Sequence, residues 1–305
     1  MNARGRGAGL GPGVWILTGL VLAAFVAVLA FLVLPRLLGI RPVPGAADQG
    51  RLVLTAIDVG QGDAIFLRGP TGRTMLVDGG AGSHIARSVV VPFLRAQGVS
   101  RLDYVVSTHP DQDHVGGLPE VVQTLPVGAV VFGILENPNQ AHVRLLELAE
   151  QKRLQVIVAR RGGSLDLGPG VETRIINPPE PLLEQDNDNS VVLHLTFGQV
   201  SILLTGDAER AAEQAMLQSG QPLRAQILKV AHHGSRTGSS AEFLQAVQPS
   251  LALISAGRDN RFGHPHPEVL QRLAAVGAEI CRTDQQGTIR VTIDGSRWTI
   301  QAAGK

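Results

Sequence analysis

At 305 residues, 44% of them hydrophobic, the chain can bury one large core or two smaller ones, which excludes a disordered or fibrous protein. Its 27 Lys and Arg against 26 Asp and Glu leave a formal charge of +1, so any recognition of a polyanion must be local. The single cysteine, Cys281, excludes an internal disulfide and a thiolate metal cluster, and 36 Gly beside eight Phe, two Trp and one Tyr indicate an aliphatic, turn-rich α/β core, not an aromatic platform for stacking bases.

The first element in chain order is an uncharged apolar run over residues 14–34. As a helix it is roughly 31 Å long, about one hydrocarbon thickness, and it predicts a transmembrane anchor within an N-terminal segment of residues 1–47. A cleaved signal peptide is the alternative. The run exceeds a normal signal core, and Pro35, Arg36 and Arg41 precede the small residues Gly45-Ala-Ala47, so an uncleaved anchor is favoured. Arg4 and Arg6 before the run nearly balance Arg36 and Arg41 after it. A short basic N-terminus ahead of a first apolar segment points to single-pass insertion in the cell membrane with an extracellular C-terminal domain.

Residues 48–305 are expected to form that domain. Three strands, at 52–58, 63–68 and 73–78, are joined by Gly60-Gln-Gly62 and Gly69-Pro-Thr-Gly72, and such short loops imply antiparallel pairing. Helical patterns follow near 84–97, 117–124, 138–152, 208–218, 239–247 and 266–276. Strand patterns lie near 102–107, 128–132, 155–159, 171–176, 190–197, 200–205, 225–231, 250–256, 278–282, 287–293 and 297–301. This rhythm predicts mixed sheets covered by helices.

The strand at 102–107 runs into Thr108-His-Pro-Asp-Gln-Asp-His-Val-Gly-Gly117, which brings His109, Asp111, Asp113 and His114 to one strand end. Pro110 delays the next helix and Gly116-Gly117 is expected to supply a tight turn. Imidazoles and carboxylates at this density are ligands for Zn²⁺, Mn²⁺ or Fe²⁺, and the plain alternative is Asp side chains capping a helix. Further strand ends carry Gly206-Asp207 and His232-His233-Gly-Ser235, and strand ends on one sheet edge share a crevice. Arg258, Arg261 and His264 form a local cationic group suited to a phosphate or to a leaving group that needs a proton. His84 and His142 read as ordinary surface residues, and His194, inside a strand, as structural.

The metal-ligand run resembles the His-x-His/Asp-x-Asp-His signature of the metallo-β-lactamase superfamily. With Asp58-Val-Gly-Gln-Gly-Asp63, Leu76-Val-Asp-Gly-Gly80, Leu204-Thr-Gly-Asp207, Lys229-Val-Ala-His-His-Gly-Ser235 and Gly263-His-Pro-His266, the domain is similar to the metallo-hydrolase domain of ComEC-type competence proteins. The resemblance implies an αβ/βα four-layer sandwich with two divalent metal ions, Zn or Mn, at its edge. His109 and Asp111 would hold one ion, Asp113, His114 and one of His232 and His233 the other, and Asp207 would bridge. His232 is preferred because it is nearer the strand end, and alternation of side chains would turn its neighbour away. Asp63 and Asp78 are expected behind the ligands, orienting them. Where a third His for the first ion is usual, this chain has Asp186-Asn-Asp-Asn-Ser190, so Asn189 or Ser190 is expected either to hold water or a substrate oxygen, or to form a polar turn. Asp113, Asp207 and His264 would take part in catalysis, with Asn189, Ser190, Ser235, Arg258, Arg261 and His264 on the substrate side. The implied activity is metal-dependent phosphodiester hydrolysis, with single-stranded DNA as substrate and Lys229 and Arg236 adding charge to the arginine pair. Hydrolysis of a surface phosphoester, lactone or β-lactam is the alternative enzyme, and an anchored binding module without catalysis is the alternative of a different class.

Overall fold

The computed structural model describes residues 48–304. The apolar run at 14–34 lies outside them, and no helix among the described residues is long and apolar enough to cross a membrane. The first half of the domain comprises β1 (Leu52–Ala56), β2 (Ile65–Arg68), β3 (Thr74–Val77), α1 (Ser83–Ile85), a π-turn at Ala86–Val90, α2 (Val91–Ala96), β4 (Leu102–Ser107), α3 (Gln112–Val115), α4 (Leu118–Thr124), β5 (Val127–Phe132), α5 (Gln140–Gln151) and β6 (Gln155–Val158). The second half comprises β7 (Ser164–Leu165), β8 (Val171–Asn177), β9 (Val192–Phe197), β10 (Val200–Leu204), α6 (Arg210–Leu217), β11 (Ile227–Lys229), α7 (Ala241–Val247), β12 (Leu251–Ile254), α8 (Pro267–Ala275), β13 (Glu279–Arg282), α9 (Thr283–Gln286), β14 (Ile289–Ile293) and β15 (Trp298–Ala302).

One sheet has eight strands in the order β15-β14-β1-β2-β3-β4-β5-β6, and the other has seven in the order β13-β12-β11-β10-β9-β8-β7. Side chains alternate faces along each strand, and this alternation builds the layers. Met75 and Val77 of β3 and Ile202 and Leu204 of β10 fill the core between the sheets. Leu76 faces α2, α4 and α5, and Leu203 faces α6, α7 and α8. The result is the expected four-layer αβ/βα sandwich. Residues 52–78 pair antiparallel as their short loops imply. The crossover segments put β3 beside β4, and β10, β11 and β12 side by side, in parallel. Their carboxyl ends lead into Asp78, the His109–His114 run, Asp207, the histidine pair and Ser255.

Three local expectations need correction. His142 is buried, at 1% exposure, with its Nε2 on the Leu135 carbonyl, because the amphipathic face of α5 turns inward there. Gly116 and Gly117 adopt ordinary negative φ, and what they provide is room. A Cβ on Gly117 would run into the carbonyl of Gly79, so the pair lets the β3 exit loop lie against the metal-ligand run. The two-residue β7 and the short α3 and α9 were not predicted, being too brief for a periodic signal.

Candidate metal centre

His109 and His114 leave β4 on a loop that Asp78 clamps at both ends. The buried Asp78 carboxylate accepts from Thr108 N (2.9 Å) and Thr108 Oγ1 (2.7 Å) through its two oxygens and lies 2.8 Å from His114 Nδ1. Asp111 occupies the N-cap position of α3 yet makes no side-chain cap, so its carboxylate is free of the capping role that was the plain alternative. The preceding glycine-rich loop packs beneath: Asp63 N donates to Asp113 O at 3.1 Å, and a Cβ on Gly62 would strike that same carbonyl.

The opposite wall comes from the second sheet. Asp207 follows β10, and its N–H donates to Ser190 Oγ at 3.1 Å. β11 stops at Lys229, after which both His232 (φ 47°) and His233 (φ 55°) take left-handed conformations. The face alternation used to separate the two histidines therefore does not apply, since neither belongs to the strand. The Nε2 atoms of both approach Asp207 Oδ2, at 3.5 Å for His232 and 3.6 Å for His233. They differ in depth. His233 is 1% exposed and joins Asp63, His114 and Asp207 in a buried group whose ligand atoms all lie within 4.8 Å of one another. His232 is one-quarter exposed and leans on Glu209, its Nδ1 2.8 Å from Oε1. His233, and not the expected His232, is therefore the member of the pair that joins the buried group.

Each of the four imidazoles around Asp207 has its Nδ1 engaged: His109 with Thr108 Oγ1 (3.0 Å), His114 with Asp78, His232 with Glu209 and His233 with the Ser255 carbonyl (3.0 Å). These acceptors hold the proton on Nδ1 and turn the Nε2 lone pairs inward, as metal-binding histidines require. The inward atoms converge on Asp207. His114 Nε2 is 3.2 Å from Oδ1, and His109 Nε2 is 4.0 Å from Oδ2. His114 Nε2 and His233 Nε2 face each other at 3.2 Å, and His233 Nε2 is also 3.2 Å from Asp113 Oδ2. His109 Nε2, Asp63 Oδ1 and Asp207 Oδ1 are buried without a hydrogen bond among the described residues. Buried lone pairs aimed at one another cost free energy unless a cation lies between them, so this donor set fits divalent ions.

Protonation in the metal-free protein reflects the same convergence. Burial opposes charge on His233, but Asp207, Asp113 and Asp63 outweigh it and lift the imidazole to about 9. Burial likewise opposes charge on His114, which Asp207 and Asp78 hold well above its ordinary value. Against its burial, Asp113 is drawn down to about 2 by His233 and His114. Asp207 falls well below the carboxylate range under His114 and His233.

Asp63 and Lys229 supply a feature that sequence reasoning missed. Lys229, 1% exposed, places its Nζ 2.7 Å from Asp63 Oδ2 and donates to the Val230 carbonyl at 2.9 Å. It is committed to the interior and unavailable to a substrate, because β11 points it beneath the site. Asn189 takes the polar-turn alternative: at 2% exposure, its amide is engaged by Leu183 N, Leu183 O and Gln185 O, fixing the loop. Ser190 is buried beneath Asp207, and Ser235, 5% exposed, shares its hydroxyl with Thr237 at 2.8 Å.

The rim is two-sided. Asp111, Glu184, Asp186 and Glu209 line an acidic recess of about 380 Å³. On the loop after β12, Arg258 and Arg261 are exposed, and half-buried His264 lies 5.5 Å from His232 and 6.2 Å from His233 between ring centroids. Burial, then the neighbouring histidines, push His264 down to about 4 in the metal-free protein.

The family described as Metallo-beta-lactamase superfamily matches residues 57–258 of the chain. The chain is 35% identical over 264 residues to ComE operon protein 3 of Bacillus subtilis, an alignment that covers 81% of this chain and 33% of that protein. It is 34% identical over 284 residues to Competence protein ComA of Neisseria gonorrhoeae, covering 89% of this chain and 38% of that protein. It thus spans about a third of the length of these curated relatives. Among solved structures, CmlA, a diiron beta-hydroxylase from Streptomyces venezuelae, superimposes with a TM-score of 0.50 at 18% identity over 79% of this chain and 54% of that one. At that identity the likeness speaks for the fold alone.

Proposed function

The chain belongs to the metallo-beta-lactamase superfamily, as a hydrolase-fold member related to competence proteins, and from that premise we propose that it hydrolyses phosphodiesters, with DNA as the substrate. The observation that carries the reading is the convergence of four inward-facing imidazoles on the buried Asp207 carboxylate, beside an arginine-bearing rim. His109, Asp111, Asp113, His114, Asp207 and His233 would hold two divalent ions, with His232 closing the outer position and Asp63 beneath the inner one. When bound, the ions supply Lewis-acid activation of water and neutralise charge that develops on the phosphate.

The remaining work belongs to the chain's own residues. Asp78, Glu209 and the Ser255 carbonyl hold His114, His232 and His233 in the tautomer that presents Nε2. Arg258 and Arg261 attract the phosphate backbone from one side, while the acidic recess repels it from the other. His264 contributes a hydrogen bond to a phosphate oxygen and orients it. With carboxylates among the ligands and no thiolate, Mn²⁺ is accepted alongside Zn²⁺. The apolar run at 14–34 supports a membrane anchor with the domain outside, and protease added to intact cells should then remove the domain.

The test is hydrolysis by the detergent-solubilised full chain, with Mn²⁺ or Zn²⁺, of DNA, an aryl phosphodiester, a lactone and a β-lactam. Cleavage of both phosphodiesters is expected. Efficient cleavage of the lactone or β-lactam with DNA left intact would replace this reading by the other-ester alternative.

A further inference from the structure

We propose that Phe262 is the stacking platform for the nucleobase next to the cleaved phosphate, an inference that rests on the phosphodiesterase reading above. Of the aromatic side chains among the described residues, Phe66, Phe93, Phe132, Phe197, Phe243, Tyr104 and Trp298 pack into the three cores. Phe262 does not. At 47% exposure it is the one aromatic among the exposed large hydrophobic side chains of the described residues. An exposed ring of this size contributes nothing to the core and stands ready for an apolar partner.

The loop that displays it is held rather than loose. Gly257 N donates to Gln61 Oε1 at 3.2 Å. The Asn260 side chain donates to the carbonyls of Gly257 (2.8 Å) and His264 (2.6 Å) and accepts from His264 N (3.0 Å). The ring is therefore presented in one place. It lies nearly parallel to His264, at 5.6 Å and 22°, and His264 in turn lies nearly parallel to His233, at 6.2 Å and 30°. Two ring-to-ring steps connect the exposed phenyl to the floor of the metal centre. The Arg261 guanidinium rests over the phenyl, 4.9 Å from its centroid, and can move to the phosphate attached to a stacked base.

A flat apolar ring next to a cation selects a ligand that is aromatic on one side and anionic on the other, which describes a nucleotide. Stacking tolerates any base but requires a free π-face. A base inside a duplex has none, so this one side chain gives the site a physical reason to prefer single strands.

The experiment compares wild type, Phe262→Ala and Phe262→Trp as full-length protein with Mn²⁺, on a single-stranded oligonucleotide and on an abasic strand of equal length. Wild type should favour the base-bearing strand. Phe262→Ala should raise KM for that strand about 5- to 150-fold, toward the wild-type level on the abasic strand, with kcat moved far less, and Phe262→Trp should restore it. Metal-free protein should quench a 2-aminopurine-labelled strand in wild type but not in Phe262→Ala. Equal cleavage of the two strands by wild type, an unchanged KM in Phe262→Ala, or equal quenching would overturn the platform and leave the phosphodiesterase reading in place. Failure of wild type to cleave either strand would remove both.

Discussion

His233 and Phe262 are separated by a single intervening imidazole, yet one is 1% exposed and held by Ser255, while the other is 47% exposed and held only through its loop. The floor of the site is built from the buried imidazoles of His109, His114 and His233, each fixed through Nδ1 by a partner behind it, so its geometry is part of the fold. The rim is built from exposed Arg258, Arg261 and Phe262 on a pinned loop, so its chemistry can change without disturbing the core. Floor substitutions should therefore abolish metal binding or stability, whereas rim substitutions should alter only how substrate is held.

The largest effect is expected at Asp207. Asp207→Asn should release bound metal and reduce turnover to background, as measured by metal content and hydrolysis together. A variant that kept both ions and wild-type turnover would break the distinction at its centre. Lys229→Met comes next. It takes the ammonium away from the buried Asp63, leaving His233 as its remaining cationic neighbour, and urea unfolding should show a loss of up to about 3–5 kcal/mol. A loss under about 1 kcal/mol would mean that water reaches the pair.

Asp78→Asn should weaken metal affinity by about 10- to 100-fold, since Asp78 fixes both His114 and the loop start. Titration calorimetry would read this directly. The same measurement against pH sharpens the comparison further. His233 is lifted from 6.5 to about 9 in the metal-free protein, so an incoming ion must displace a proton, and affinity should rise with pH up to about 9, by up to about tenfold per unit for that proton. The sign for stability is opposite. A raised imidazole stabilises the metal-free fold below about 6.5, and that contribution is lost as pH rises through about 9. Metal affinity that is flat between pH 6 and pH 9 would contradict the proton on His233.

The smallest effect belongs to the rim arginines. Replacing Arg258 and Arg261 together by Ala should lower the slope of log affinity for DNA against log salt by about one to two, with metal content unchanged. An unchanged slope would place the phosphate path elsewhere.

Much of this centre is legible in the chain because its residues are local to strand ends. His109, Asp111, Asp113 and His114 lie within one loop, and apolar strands precede Asp207 and His232-His233, so periodicity marks each segment as a strand end, although the two groups sit on different sheets and meet only across the sandwich, not on the one sheet edge expected. Period-two and period-3.6 patterns likewise locate nearly every strand and helix of the domain, since each element buries one face and exposes or repacks the other.

Other features depended on contacts between distant segments. Which histidine lies deeper was settled by two left-handed residues after β11, a backbone choice that composition does not announce. Lys229 reads as a surface cation beside a motif, and only the arrival of Asp63 from the other sheet makes it a buried ion pair. Asn189 reads as a candidate polar contact until Leu183 and Gln185 fold over it. Phe262, one aromatic in a chain poor in them, becomes notable only when the other described rings are seen buried and the loop holds it beside His264. The sequence by itself determined which segments form the layers and which ligand types gather at their edge, because those follow from local periodicity and side-chain chemistry. The tertiary structure alone decided which side chains are buried, paired or presented, because depth and partnership are set by segments that meet only after the two sheets close on one core.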